Sequence, residues 1–122
     1  MAESHTGRRQ VLLVEDEPAA RDVTCRYLQS LGHQVQVAAD VREALLAAAE
    51  HPPEVLVCDC NLSGRFNGLE VARVIARTGV AVILVSGHSP DLLREHLAGL
   101  EVAAILQKPI SLEKLAEAVS AA

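Results

Sequence analysis

Three carboxylates, a hydroxyl and a lysine are the side chains best placed for chemistry in this chain, because they stand at the ends of apolar runs. Glu15 and Asp16 follow Val11–Val14, and Asp59 follows Val55–Cys58. Ser86 follows Val80–Val85, and Lys108 comes shortly after Val102–Leu106 and directly before Pro109. Three carboxylates held within a few ångströms repel one another, by roughly a few kcal/mol per pair at an effective dielectric of about 20. A hard dication relieves that repulsion, and few protein ligands completed by waters is the Mg²⁺ pattern rather than a full Ca²⁺ cage. A carboxylate beside Mg²⁺, a lysine and a hydroxyl can perform phosphoryl transfer. An aspartate then serves as in-line nucleophile, while the metal and Lys108 stabilise equatorial phosphoryl oxygens.

Each residue alone has a plainer reading. Glu15 or Asp16 could cap the helix that follows, Ser86-Gly87 is a turn signal, and Lys108 could be a surface lysine. The chain, however, uses Arg at nine of its eleven basic positions, and Lys108 follows directly on an apolar strand. Cys58 and Cys60 flank Asp59 and so point to the opposite face of the strand, where core packing is their expected role. With five scattered histidines, nothing has zinc-site spacing.

The elements that must position these residues alternate. The five apolar runs (the fifth being Val35–Ala38) are rich in β-branched residues and read as strands. Four are nearly continuous in apolarity, as strands buried on both faces are, whereas Val35-Gln36-Val37 alternates like a half-exposed edge. Between them lie helical patterns. Ala20, Val23, Tyr27, Leu28 and Leu31 share a face of the first, which Gly32 closes. Asp40 with Glu43 caps the second, which ends before Pro52-Pro53. Asn67-Gly68 opens the third, carrying Leu69, Ala72 and Ile75 and ending before Thr78-Gly79. Ser89-Pro90 starts the fourth, and Ser111 caps a fifth with Leu112, Leu115, Ala116 and Val119 inward. The order is (βα)₅ with helix-bearing crossovers, so an α/β open, doubly wound five-stranded parallel sheet is expected. A closed eight-fold barrel needs roughly twice the length. In such sheets ligands bind outside the carboxyl ends of the strands, where the polar residues named above fall.

The 122 residues are enough for one domain: a short polar leader over 1–9 and a folded unit over 10–122. Half the chain is apolar but only 2% aromatic, so the core is aliphatic. A net charge of −5 argues against nucleic acid as a direct partner, and Arg8-Arg9 reads as solvated tail rather than a binding patch. No apolar run approaches membrane-spanning length. Three cysteines without framework spacing suit a reducing cytoplasm.

Glu15-Asp16, Asp59, Ser86 and Lys108-Pro109 at strand ends of a (βα)₅ chain resemble the receiver domains of bacterial two-component response regulators, over about residues 10–121. The resemblance implies Asp59 as phosphoacceptor, with Asp16 and Asp59 on Mg²⁺ directly, Glu15 through water and Asn61 through its backbone carbonyl. It also implies that Ser86 swings toward the phosphoryl oxygen, that Lys108 pairs with it, that Lys108–Pro109 is cis, and that the sheet order is 2-1-3-4-5. The implied partners are a histidine kinase or a histidine phosphotransfer protein as donor, and a downstream protein whose binding changes.

Three positions depart from the family pattern. Ile105 stands where a Tyr or Phe is usual, the loop 61–67 is one residue longer with Ser63-Gly64 in place of a Pro pair, and Glu15 replaces the more frequent Asp. Two other readings compete. A phosphatase of the haloacid dehalogenase type needs an acid two residues after its nucleophile, where this chain has Asn61. A non-phosphorylated binding module keeping the fold is supported by Ile105 alone.

Overall fold

A computed structural model of the chain describes residues 8–77 and 79–122. Five strands, β1 (Gln10–Val14), β2 (Gln34–Ala38), β3 (Val55–Asp59), β4 (Ala81–Ser86) and β5 (Ala104–Gln107), alternate with five helices. These are α1 (Pro18–Ser30), α2 (Val41–Glu50), α3 (Gly68–Ala76), α4 (Pro90–Arg94) and α5 (Leu112–Ala121). The strands are parallel in the order β2-β1-β3-β4-β5, as expected.

Pleating sends alternate side chains to opposite faces, and both faces are covered. Leu12, Val14, Leu56, Cys58, Val82 and Leu84 pack with Ala44, Leu69, Ala72, Ile75 and Leu93 from α2, α3 and α4. Val11, Leu13, Val55, Val57, Ile83 and Val85 pack with Leu28, Leu115 and Val119 from α1 and α5. Burying a side chain of this size contributes roughly 1.5–3 kcal/mol, so the aliphatic sheet supplies most of the driving force.

Three sequence expectations need correction. On α1 the buried residues are Thr24 and Leu28, while Val23 and Leu31 are about half exposed. The helix docks on an i, i+4 ridge that includes a threonine where a hydropathy pattern expects Val. On β5 the three apolar residues are only half-buried, because the strand closes one edge of the sheet. Arg9 also departs from a solvated tail. Its backbone N–H donates to His33 Nδ1 (3.0 Å), and its guanidinium donates to the carbonyls of Ala122 and Ser120 (3.1 and 2.9 Å). Residues 1–7 of the expected leader, and Thr78, lie outside the described residues.

Helix starts follow the expected caps at Asp40, Ser89 and Ser111, each accepting a backbone N–H three residues on. The cap of α1 is Glu17, accepting from Ala20 N (2.7 Å), with Pro18 in the first turn. That assignment leaves Glu15 and Asp16 free of capping duty. Among the described residues no helix is long and apolar enough to cross a membrane.

Candidate functional site

Register brings the strand ends level: Val14 lies opposite Cys58, Asp59 opposite Val85, and Ser86 opposite Gln107. Glu15-Asp16 and Lys108 follow immediately on β1 and β5, so one rim collects all five predicted residues. Glu15, Asp16 and Asp59 each present a carboxylate oxygen, and these lie within 4.8 Å of one another. Asp59 is 3% exposed. Its Oδ2 accepts from Lys108 Nζ (2.6 Å) and its Oδ1 from Asn61 N (3.0 Å). The Lys108–Pro109 peptide is cis.

The acids are held by backbone as well. Asp16 Oδ2 accepts from Ser63 N (2.8 Å), and Glu15 Oε2 from Glu17 N (3.0 Å). Burial pushes the Glu15 carboxyl above its ordinary value, against the lowering effect of the Glu17 N–H, and the charge of Asp59 adds to the rise. For the Lys108 ammonium, burial works to lower the pKa. The hydrogen bond and charge of Asp59 outweigh it and hold the group above its ordinary value. The donor set fits a hard dication: three clustered carboxylates, with no sulfur or imidazole in the group.

Ser86 is buried at the end of β4. Its Oγ accepts from His88 N (2.9 Å), and its carbonyl from Lys108 N (2.8 Å), which ties the β5 end to β4. Its hydroxyl also lies against the Cys60 thiol, whose pKa burial and the Asp59 charge push up to about 11 despite that hydrogen bond. Cys58 and Cys60 are both buried in the core, as expected. The Cys58 thiol bridges to the carbonyls of Asp59 and Gly68 (3.4 and 3.7 Å).

Sequence reasoning missed two supports. The long loop 61–67 folds into a tight turn, with paired hydrogen bonds between Leu62 and Arg65 (2.9 and 3.1 Å) and positive φ at Ser63 (56°) and Gly64 (76°). Both central residues are left-handed, as in a type I′ turn, and this aims the Ser63 N–H at Asp16. Asn67 Oδ1 secures the turn by accepting from Leu62 N (3.2 Å). The second support is Gly68: a Cβ there would overlap the Asp59 carbonyl oxygen and come within 2.8 Å of Cys60 Cα. Its one trace in the sequence was the Asn67-Gly68 pair, which reads as a helix start.

An acidic pocket at the carboxyl rim of an open 2-1-3-4-5 sheet, with a lysine on the central aspartate, defines a CheY-like signalling fold. The chain matches the response regulator receiver domain family over residues 11–120. It is 36% identical over 108 residues to the response regulator MprA of Mycolicibacterium vanbaalenii, covering 87% of this chain and 46% of that protein. The chain thus spans about half the length of the curated relatives it matches. Among solved structures it resembles the signal receiver domain of a modulated diguanylate cyclase from Desulfovibrio desulfuricans G20. That match has a TM-score of 0.82 and 25% identity, over 94% of this chain and 93% of that one. It also resembles the response regulator TrrA of Thermotoga maritima, solved in complex with Mg²⁺-BeF, at TM-score 0.80 and 26% identity, over 93% and 97%. The chain belongs to the response regulator receiver domain family of two-component signalling.

Proposed function

We propose that this receiver accepts a phosphoryl group on Asp59 in a Mg²⁺-dependent reaction and signals through altered binding of a partner protein. The observation that carries this reading is the Asp59 carboxylate itself: buried, 2.6 Å from Lys108 Nζ, and clustered with Glu15 and Asp16. The donor is a phosphohistidine on a histidine kinase or histidine phosphotransfer protein, and the setting is the cytoplasm. We assign the activity to residues 10–122.

An Asp59 carboxylate oxygen forms a bond to phosphorus as the P–N bond to the donor imidazole breaks. The bonding pair stays on the nitrogen, and the product is an acyl phosphate. Asn61 N–H and Lys108 orient the carboxylate, one on each oxygen. Glu15, Asp16, Asp59 and the Asn61 carbonyl would hold Mg²⁺, which when bound would supply positive charge to offset the three acids and the incoming phosphoryl oxygens. Lys108 then transfers its hydrogen bond to a phosphoryl oxygen, and Ser86 turns its hydroxyl to another.

Intact-protein mass spectrometry after incubation with acetyl phosphate, with and without Mg²⁺, tests this. A single Mg²⁺-dependent adduct on the wild type, absent from Asp59→Asn, is expected. Equal labelling of the variant removes Asp59 as acceptor. No labelling by either acetyl phosphate or a phosphorylated histidine kinase overturns the proposal and leaves a binding module.

A further inference from the structure

Phe66 is the only phenylalanine of the chain, and it is 42% exposed beside the site. Its ring stands edge-on to two imidazoles: His88, with centroids 5.9 Å apart at 80°, and His96, 5.8 Å apart at 70°. Both separations fall in the range where edge-to-face rings attract. The three rings come from different segments. Phe66 is in the loop after β3, His88 lies between β4 and α4, and His96 follows α4. With Leu92 and Leu93 they line a cavity of about 160 Å³.

We propose that this ring cluster is a positioning element coupling the Ser86 hydroxyl to α4, with Phe66 as its moving part. The inference rests on Asp59 accepting a phosphoryl group. In the described structure Ser86 Oγ accepts the backbone N–H of His88, two residues on (2.9 Å). When the hydroxyl turns toward a phosphoryl oxygen on Asp59, that N–H loses its acceptor, and the His88 segment must move to find another. The His88 ring then leaves the edge of Phe66. On the far side the backbone at His96 is anchored to α3, because Arg73 donates through Nη2 to the carbonyls of both His96 and Leu97 (2.9 and 2.8 Å). Of the three rings, Phe66 is the one that meets both of the others, and it borders the cavity, so a displacement of His88 is passed to it directly and it has room to follow. β5 offers no ring for the same task, since Ile105 is aliphatic and half-buried.

Because there is one phenylalanine, the whole chain labelled with 4-fluorophenylalanine gives one ring ¹⁹F resonance. The experiment titrates Mg²⁺ and beryllofluoride, a non-covalent phosphoryl stand-in that reports its own bound ¹⁹F signal, to saturation of that signal. The Phe66 resonance should shift in the wild type and stay in place in Ser86→Ala, with beryllofluoride raised until the variant's bound signal also saturates. In unlabelled protein, slowed or quickened amide exchange in α4 on beryllofluoride binding should vanish in Phe66→Leu and return in Phe66→Tyr, which keeps the ring. A bound signal with an unmoved Phe66 resonance, or an equal shift in Ser86→Ala, overturns the coupling and leaves the Asp59 reading standing. Absence of any bound signal on the wild type overturns both.

Discussion

Lys108 Nζ meets Asp59 Oδ2 at 2.6 Å, but the two ends differ: the lysine side chain is 43% exposed and the aspartate 4%. Removing one partner of a fully buried pair costs about 3–5 kcal/mol, whereas exposed pairs contribute under about 1. Half-exposure of the lysine places this pair toward the lower end. Lys108→Ala should therefore lower stability at pH 7 by about 1 kcal/mol without Mg²⁺ in urea unfolding. Mg²⁺ should raise the midpoint more in the variant than in the wild type, since the acids have lost their ion-pair partner. Equal midpoints would remove Lys108 from the electrostatics of the site. The raised pKa of Lys108 sets the window: the pairing contributes fully below about 10.5 and is lost as pH rises through the higher folded value. At this scale the sequence was informative, because carboxylate, hydroxyl and ammonium groups at strand ends name their own chemistry. Gly68 was opaque, because a missing side chain carries meaning only once its neighbours are placed.

Between elements, the Asp59 strand and α3 approach so closely that Gly68 is the contact itself. Gly68→Ala forces the α3 start away from the Asp59 carbonyl, because the added Cβ meets backbone atoms and no flexible side chain is there to yield. Overpacking of this kind costs about 1–3 kcal/mol, readable as a fall in the urea midpoint. Gly87→Ala is the comparison, since a Cβ there meets nothing within 4 Å, and it should stay within about 0.5 kcal/mol. Comparable losses in both would contradict close approach as the reason for Gly68. Strands, helix order and the caps at Asp40, Ser89 and Ser111 could be read from local signals because hydrogen-bonding partners lie within a few residues. The buried face of α1 could not. Thr24 and Val23 differ by whether a neighbouring sheet accepts them, which hydropathy does not encode, and the Ser63-Gly64 turn needed its Asp16 partner to acquire a purpose.

Across the whole molecule, β1 begins at a junction of distant segments. His33 is buried after α1, and its Nδ1 must be unprotonated to accept the Arg9 N–H, while the Arg9 side chain reaches the end of α5. Burial, and then the charge of Arg9, lower the His33 pKa below 6.5. A lowered folded pKa means that the unfolded chain binds the proton more readily. The stabilising contribution is thus complete above about 6.5 and is lost as pH falls toward the folded value. Urea unfolding between pH 7.5 and 5 should show wild type losing more stability than His33→Gln across that window. Parallel curves would mean that His33 protonation is not linked to folding. The topology itself was accessible through the resemblance to receivers, and the 2-1-3-4-5 order agrees. What continuous apolarity could not tell was that β5, like β2, is an edge strand, since Ile105 and Leu106 look the same in sequence whether one neighbour or two lies beside them.

The central claim is that Asp59, among the three clustered acids, receives the phosphoryl group. Sodium borohydride reduces an acyl phosphate to the alcohol, releasing phosphate and leaving homoserine in place of aspartate. Peptide sequencing by tandem mass spectrometry after phosphorylation and reduction should find homoserine at position 59 and nowhere else. Homoserine at position 16, the corresponding alcohol at Glu15, or a reduction-resistant phosphate on Ser86 would contradict it.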